Sequence, residues 1–382
     1  MLTRGYSLLS MMRAWLPAHT AAPPIEKNHK TEPVLPVNGT TSGQNVLVVG
    51  PSWIGDMMMA QSMFKLLKAR DPSCRIDVLA PEWSSPLLAR MPEVENTIVS
   101  PFQHGQLLLS ERLQLGKSLR HNQYTRAIVL PNSLKSALVP FAARIPRRSG
   151  FVGELRYGLL NDARKLDKQA LTMTVQRFAA LALEPAEALP DELPVPRLVT
   201  EQIAIDRSLA ETGIPTPGSP VIALCPGAEY GPAKRWPSRH YAAVAGHYLD
   251  LGWQVWLFGS AKDKPVCQRI NAQSDDRCED LSGRTTLGQA IDLMSLASAA
   301  VSNDSGLMHL AAALDLPLVA VYGSSDPGFT PPLSRHAQVV SLGLDCSPCF
   351  KRECPLGHKD CLNKLEPTSV LNRLSELAAE HD

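Results

Sequence analysis

Two short apolar runs, each followed by a loop and a helix-like stretch, constrain the fold of this chain most strongly. The first run is residues 45–50, Asn-Val-Leu-Val-Val-Gly, and the second is residues 220–225, Pro-Val-Ile-Ala-Leu-Cys. Nearly unbroken apolar runs of this length are typical of parallel strands that are buried on both faces. Further strands are predicted at residues 75–80, 96–99, 126–130, 253–258, 297–301 and 317–322. Because helical stretches separate these strands, we expect an α/β fold with two Rossmann-like, doubly wound sheets.

The order of these segments predicts two domains, which is the usual number for a chain of 382 residues. The predicted domains are residues 45–185 and 220–365, and the proline-rich segment 186–219 links them. Residues 366–382 are expected to form a terminal helix. Residues 1–44 lack a folding pattern, so we interpret them as a disordered tail or as the product of a misassigned upstream start codon.

Charge and hydropathy exclude several classes of protein. The net charge is only +1, so we expect no nucleic-acid partner. No apolar run reaches the roughly 20 residues that span a bilayer, so we expect no transmembrane segment. The apolar residues 8–16 contain Arg13, which argues against a signal peptide.

A strand-to-helix junction within residues 301–313 is the first candidate binding site. Its turn and helix-start residues are Asn303, Asp304, Ser305, Gly306, Leu307 and His309. Such a junction directs free backbone N–H groups and the positive end of a helix dipole outward, which suits a phosphate group. The alternative interpretation is an ordinary helix cap with a surface histidine.

Asp56 is the candidate general base, because it follows the strand at residues 45–50. A carboxylate at the mouth of a parallel sheet can accept a proton from a bound hydroxyl, and Gly55 leaves room for a substrate. We expect this carboxylate not to be deeply desolvated, so that it stays ionised at neutral pH. The alternative is that Asp56 caps the next helix. The loop matches neither the dinucleotide fingerprint nor the P-loop.

The loop after residues 220–225 is a candidate diphosphate site. It carries Lys234 and Arg235, and two cations at the carboxyl end of a strand can clamp a diphosphate. Asp263, after the next strand, could accept a hydrogen bond from a ribose hydroxyl. The alternative for Lys234 and Arg235 is a surface loop that happens to hold two cations.

The loop after residues 126–130 is a candidate site for a polar, anionic acceptor. Its candidate residues are Asn132, Ser133 and Lys135, and Arg156 belongs to an arginine-rich segment that follows. These arginines could line an edge for phosphates or carboxylates, or form a solvated face.

Four of the eight cysteines lie close together near the carboxyl end of the chain. They are Cys346, Cys349, Cys354 and Cys361. Four thiols at this separation could hold a structural zinc ion, but their spacing matches no common zinc-finger pattern. Reduced thiols and one local disulfide are the alternatives.

Six segments, in order along the chain, resemble the heptosyltransferases of glycosyltransferase family 9, and among them those of type II. The segments are residues 48–59, 130–140, 156–162, 225–237, 257–263 and 303–309. The resemblance begins near residue 45 and implies the GT-B fold, in which two Rossmann-like domains face each other across a crevice.

The resemblance also implies a reaction and a place for it. Members of the family move heptose from ADP-L-glycero-β-D-manno-heptose to the first heptose of the lipopolysaccharide inner core, with inversion and without a metal or other cofactor. The acceptor is lipid A carrying Kdo and heptose, at the cytoplasmic face of the inner membrane. The enzyme is therefore expected to be cytoplasmic and peripheral to that membrane.

The same resemblance implies roles for individual residues. Asp56 corresponds to the general base and Lys234 to a contact with the donor phosphates. The diphosphate and sugar are held by a segment that includes Asp304, Ser305, Gly306, Leu307 and His309. Asp263 is the expected adenosine contact.

Two other functions stay open at this point. A nucleotide-sugar epimerase of the same architecture would release an altered sugar without an acceptor. A nucleotide-sugar-binding protein would use the crevice for sensing, with Asp56 only a helix cap.

Overall fold

A computed structural model describes residues 43–102 and 105–380, and the predicted tail lies almost entirely outside this range. Six parallel strands form the first sheet in the order β3-β2-β1-β4-β5-β6. The strands are β1 (Asn45–Val49), β2 (Arg75–Pro81), β3 (Asn96–Ser100), β4 (Arg126–Val129), β5 (Arg147–Phe151) and β6 (Asp162–Arg164). The helices among and after them are α1 (Ile54–Arg70), α2 (Ser85–Leu88), α3 (Leu109–Ser118), α4 (Leu138–Ala142) and α5 (Thr174–Ala182).

Six parallel strands also form the second sheet, in the order β12-β11-β10-β7-β8-β9. The strands are β7 (Val221–Cys225), β8 (Gln254–Leu257), β9 (Glu279–Asp280), β10 (Ala299–Asn303), β11 (Leu318–Val321) and β12 (Ala337–Val340). The helices are α6 (Gln202–Thr212) in the predicted linker, then α7 (Ser238–Asp250), α8 (Lys264–Ala272), α9 (Leu287–Met294), α10 (Gly306–Ala313), α11 (Asp360–Asn363) and α12 (Pro367–Glu380). No helix in the described residues has the length and apolarity that crossing a bilayer requires.

The two doubly wound parallel sheets predicted from the apolar runs are confirmed. The sequence did not predict β5 or the edge strands β6, β9 and β12, because they are short or polar. Strand β6, for example, reads Asp-Ala-Arg, which has no apolar period. Its place beside β5 is fixed by backbone pairing and by ion pairs of Asp162 with Arg147 and Arg164.

Part of the arginine-rich segment has a structural role. The guanidinium of Arg164 donates hydrogen bonds to the carbonyls of Ala180 and Leu183 at the carboxyl end of α5. Arg126 donates to the carbonyls of Leu181 and Ala182 at the same helix end. Cations at this position pair with carbonyls that lack intrahelical partners. These arginines therefore dock α5 against the first sheet.

The two sheets share a continuous apolar core. Helix α1 is at its centre, because its methionines Met57, Met58, Met59 and Met63 are fully buried. Helix α10 of the second half packs against α1. This packing brings the carboxyl ends of β1 and β10 to the same crevice.

Candidate active site

The crevice between the two sheets is lined by loops at the carboxyl ends of their central strands, which is where ligands bind in open α/β sheets. Asp56 lies in the first turn of α1, directly after β1. Lys234 lies in the loop between β7 and α7, and Asp304 follows β10. The structure thus brings together three residues that are far apart in the sequence.

Lys234 and Asp304 form an ion pair across the donor side of the crevice. The Nζ atom of Lys234 is 2.5 Å from Oδ2 of Asp304, and both side chains are largely buried. The ammonium also lies 5.1 Å from the ring centre of Tyr230, a distance suited to a cation–π contact. These contacts hold the lysine at the mouth of the crevice.

Asp56 is not the helix cap that the alternative interpretation supposed. The helix begins at Ile54, the capping position belongs to Trp53, and no side chain makes the cap hydrogen bond. Burial raises the pKa of Asp56 to about 6; the nearby charge of Lys234 opposes this rise and that of Asp304 adds to it. The expectation that this carboxylate is not deeply desolvated is therefore wrong, although it is still mainly ionised at pH 7.

Asn303 joins the lysine loop to β10, a role that the sequence did not suggest. Its Oδ1 accepts hydrogen bonds from the backbone N–H of Trp236 and from the hydroxyl of Tyr241. Its Nδ2 donates to the carbonyl of Pro226. All these groups are buried, so one asparagine fixes both ends of the loop that carries Lys234 relative to Asp304.

His309 lies against Gly55 at the start of α1 and not at the surface. It is buried, and a Cβ atom placed on Gly55 would lie 2.7 Å from its Cδ2 atom. Burial lowers the pKa of His309 to about 4, so the imidazole is neutral at pH 7. A neutral imidazole can still donate a hydrogen bond to a phosphate or sugar oxygen, or accept one from a sugar hydroxyl.

The start of α10 is also in close contact with α1. A Cβ atom on Gly306 would lie 2.9 Å from Cβ of Ile54. Ser305 occupies the capping position of α10 without a side-chain cap bond, and Leu307 lies in the first turn. The first N–H groups of any helix lack intrahelical partners, so this end can donate to an anion.

Asp263 is largely engaged within its own domain. Its Oδ2 accepts hydrogen bonds from the N–H and the hydroxyl of Ser260, and its Oδ1 is 3.5 Å from Arg235. The carboxylate also lies against Gly227, where a Cβ atom would approach it to 2.5 Å. The predicted adenosine contact stays a prediction, and the observed contacts order the loop after β8.

The predicted acceptor residues divide into exposed and buried members. Asn132 is exposed, and Ser133 and Lys135 are partly exposed at the carboxyl end of β4. Arg156 is almost fully buried, and its guanidinium donates to the carbonyls of Phe151 and Pro131. Direct contact of Arg156 with an acceptor stays a prediction; in this structure it holds two loops of the acceptor side together.

Comparison with known proteins identifies the family. The sequence model of glycosyltransferase family 9 (heptosyltransferase) matches residues 112–360. The chain is 48% identical to lipopolysaccharide heptosyltransferase 2 of Salmonella typhimurium, over 88% of this chain and 99% of that protein. This chain belongs to glycosyltransferase family 9.

Solved structures agree with this family 9 assignment. The structure of the Escherichia coli ADP-heptose lipopolysaccharide heptosyltransferase II is 46% identical in sequence, with a TM-score of 0.78 over 88% of this chain and 99% of that one. A family 9 glycosyltransferase from Veillonella parvula shares the fold at 20% identity, with a TM-score of 0.79 over 90% and 100% of the two chains. The predicted GT-B fold and glycosyltransferase activity are confirmed.

The four clustered cysteines of this family 9 enzyme line one pocket behind the lysine loop. Their thiols are all free. Across residues 43–102 and 105–380, no three His, Cys, Asp or Glu side chains are arranged to hold a metal ion. The structural zinc ion, the reduced thiols and the local disulfide therefore all stay open as predictions for this cluster.

The cysteine-bearing segment instead supports the lysine loop of the enzyme. The N–H of Ala233 donates to the carbonyl of Arg352, 3.0 Å away. The hydroxyl of Tyr230 donates to the carbonyl of Phe350 at 2.9 Å. These contacts fix the residues that lead into Lys234.

Proposed function

We propose that this enzyme transfers heptose from ADP-L-glycero-β-D-manno-heptose to the first heptose of the lipopolysaccharide inner core. The heptosyltransferases of Salmonella typhimurium and Escherichia coli, at 46–48% identity over nearly their full lengths, support this substrate pair. The observation that carries the chemistry is the close contact of Gly55, the residue before Asp56, with His309 in α10, which follows the Lys234–Asp304 pair.

Asp56 acts as the general base in this proposal. The acceptor hydroxyl gives its proton to the carboxylate while its oxygen bonds to the anomeric carbon of the donor. The bond from that carbon to the ADP oxygen breaks on the opposite face, so the configuration inverts. A carboxylate pKa near 6 supports this role, because a base with a pKa close to the working pH is both ionised and basic enough.

Lys234 and the start of α10 stabilise the leaving diphosphate. The lysine ammonium supplies a positive charge, and the first-turn N–H groups near Ser305, Gly306 and Leu307 supply donors at the positive end of a helix. Neutral His309 adds a hydrogen bond to the sugar or phosphate. With these groups in place, the proposal assigns no cofactor and no catalytic metal to the reaction.

The acceptor is a membrane lipid, so the proposal has the enzyme working at the cytoplasmic face of the inner membrane without crossing it. Asn132, Ser133 and Lys135 are the proposed acceptor contacts, because they lie on the first sheet at the same edge as Asp56. No observed feature favours the epimerase or the binding protein.

The test of this function is transfer to defined acceptors. We expect the purified enzyme to add one heptose to a deacylated inner core that ends in a single heptose, as measured by mass spectrometry. Lys234→Gln should raise KM for ADP-heptose about tenfold or more, since it removes a charge that faces the diphosphate. The matched control Lys364→Gln changes a lysine that is 68% exposed and lies outside the crevice, and KM should stay within about twofold.

Two results would contradict the proposal. Absence of transfer to every heptose-ended acceptor would refute the substrate pair. An unchanged donor KM in the Lys234→Gln enzyme would refute the diphosphate role of the lysine.

A further inference from the structure

The segment between β12 and α11 places a second cation beside the lysine loop, residues 226–237. The guanidinium carbon of Arg352 lies 5.2 Å from the ring centre of Tyr230, and Nζ of Lys234 lies 5.1 Å from the same ring centre. The two positive groups are therefore no further apart than the sum of these distances. Because Lys234 is at the mouth of the crevice, a ligand that contacts the lysine is within reach of Arg352.

Backbone contacts fix the position from which the Arg352 side chain extends. The carbonyl of Arg352 accepts the hydrogen bond from Ala233, and a Cβ atom on Gly231 would lie 2.5 Å from that carbonyl oxygen. The N–H of Phe350 donates to the carbonyl of Ser324, 2.7 Å away in the loop after β11. The backbone around Arg352 is thus held against two loops at the carboxyl edge of the second sheet.

Arg352 differs from the neighbouring cations because it lacks an anionic partner. Within residues 43–102 and 105–380, Arg352 forms no ion pair, and it is exposed. Three other cations around the lysine loop are each paired with a carboxylate. The pairs are Lys234–Asp304, Arg235–Asp263 and Lys262–Glu229.

Two positive charges beside one aromatic ring favour an anionic ligand. The ring of Tyr230 attracts each cation, but the two cations repel each other, and Asp304 offsets only the charge of Lys234. An anion that contacts both cations replaces this repulsion with two attractions. A guanidinium also presents a planar fork of N–H donors that matches phosphate oxygens, and it keeps its charge at neutral pH.

We propose that Arg352 is a second cationic contact for the diphosphate of the nucleotide-sugar donor. This inference rests on the proposed function, in which Lys234 faces that diphosphate. The lysine and the start of α10 bind the diphosphate from inside the crevice, and Arg352 binds phosphate oxygens on the solvent side. Tyr230 sets the spacing of the two cations, since its ring lies beside both and its hydroxyl is fixed to the carbonyl of Phe350.

The test compares two arginine substitutions of the same kind. The variant is Arg352→Gln. The control is Arg335→Gln, at a side chain that is 87% exposed and precedes β12, which places it at the opposite edge of the second sheet. Isothermal titration calorimetry measures the Kd for ADP and for adenosine, which lacks the diphosphate. Steady-state kinetics measure KM for the donor and for the deacylated acceptor, and thermal unfolding measures folding.

We expect Arg352→Gln to raise the Kd for ADP and the KM for ADP-heptose about fivefold or more, since it removes a charge that faces the phosphates. The Kd for adenosine and the KM for the acceptor should stay within about twofold. Arg352→Lys should lose less than Arg352→Gln, because it keeps the charge and gives up only the fork. The control should keep all these values within about twofold, at an unchanged Tm in every variant.

An unchanged Kd for ADP in the Arg352→Gln enzyme would overturn the inference. So would an equal rise in the Kd for ADP and for adenosine, because the arginine would then act on the shape of the loop, and so would a rise confined to the acceptor KM. Absence of heptose transfer by the unaltered enzyme would refute the proposed function instead. The Kd for ADP needs no acceptor and would still decide the role of Arg352.

Discussion

At the scale of single residues, the pKa of Asp56 connects the site to stability. Burial raises the pKa of the Asp56 carboxyl group from an ordinary value of 3.8 to about 6. Ionising it in the folded protein therefore costs more free energy than ionising it in the unfolded chain. Above pH 6 this cost lowers the free energy of unfolding in full. As the pH falls towards 3.8, the folded protein takes up the proton first, and the cost disappears. A base kept ready for catalysis thus weakens the fold at neutral pH.

Asp56→Asn should abolish transfer and stabilise the protein. At pH 8 we expect the free energy of unfolding to rise by about 1 to 3 kcal/mol, since the amide has no ionisation cost. The gain should shrink as the pH is lowered from 6 towards 4. Urea unfolding at several pH values measures this, and Asp250→Asn, at a side chain that is 74% exposed, is the control. A gain that did not depend on pH would contradict the raised pKa.

The charges beside Asp56 should shift the acidic limb of the pH–rate profile in opposite directions. The enzyme should lose activity below about pH 6, as Asp56 takes up a proton. Lys234→Gln removes a charge that lowers the pKa of Asp56, so the limb should move to higher pH. Asp304→Asn removes a charge that raises the pKa of Asp56, so the acidic limb should move to lower pH. The profiles are measured as kcat at saturating donor; shifts in the same direction would refute the coupling.

At the scale of elements, the contact between α1 and α10 sets the separation of base and donor site. Two glycines make this contact close, Gly55 against His309 and Gly306 against Ile54. The sequence indicated that Gly55 leaves room for a substrate, but in this structure an imidazole fills that room. Neither helix reveals this alone, because the partner residues are about 250 positions apart, and loop closure over such a distance depends on the whole fold.

Gly55→Ala should force α1 and α10 apart. We expect a loss of about 1 to 3 kcal/mol in the free energy of unfolding and a lower kcat, because the new methyl group meets the ring of His309. The control is Gly246→Ala in α7, where no atom lies near the new methyl group, and stability should rise by about 0.5 to 1 kcal/mol. Thermal unfolding and steady-state kinetics measure both. A Gly55→Ala enzyme as stable and active as the unaltered one would show that the helices tolerate a wider contact.

At the scale of the whole molecule, the two halves are held together by their shared core and by one partly buried ion pair. Arg90, after α2, donates two hydrogen bonds from its Nη2 to the carboxylate of Asp292 in α9, at 2.6 and 2.7 Å. Ser208 of α6 donates to the same carboxylate. The Asp292 side chain is only 3% exposed. One carboxylate therefore links both sheets and the segment between them.

Arg90→Ala should destabilise the protein by about 3 kcal/mol, because it leaves a buried carboxylate without its charge partner. The double variant Arg90→Ala, Asp292→Ala should recover part of the loss, since no unpaired charge remains. Arg70→Ala is the matched control: its ion pair with Glu187 is exposed, and the loss should be below about 1 kcal/mol. Urea unfolding measures all three, and equal losses at Arg90 and Arg70 would contradict the buried character of the first pair.

The sequence by itself determined the two doubly wound sheets and the loops that carry the site. Buried parallel strands need unbroken apolar residues, and this local signal identified β1, β4, β7 and β10 along with the loops that hold Asp56, Lys234 and Asp304. It could not identify β5, β6, β9 and β12, which are short or polar and which backbone pairing holds in the sheets.

Only the tertiary structure decided what those side chains do to each other. A pKa depends on desolvation and on charges that the fold brings near, so the raised pKa of Asp56 and the neutral state of His309 follow from burial and not from sequence. The same holds for Arg156 and Asp263, whose polar types suggested ligands and whose burial commits them to neighbouring loops. Residue type specifies the chemistry that is available, whereas long-range packing specifies which part of it faces the crevice.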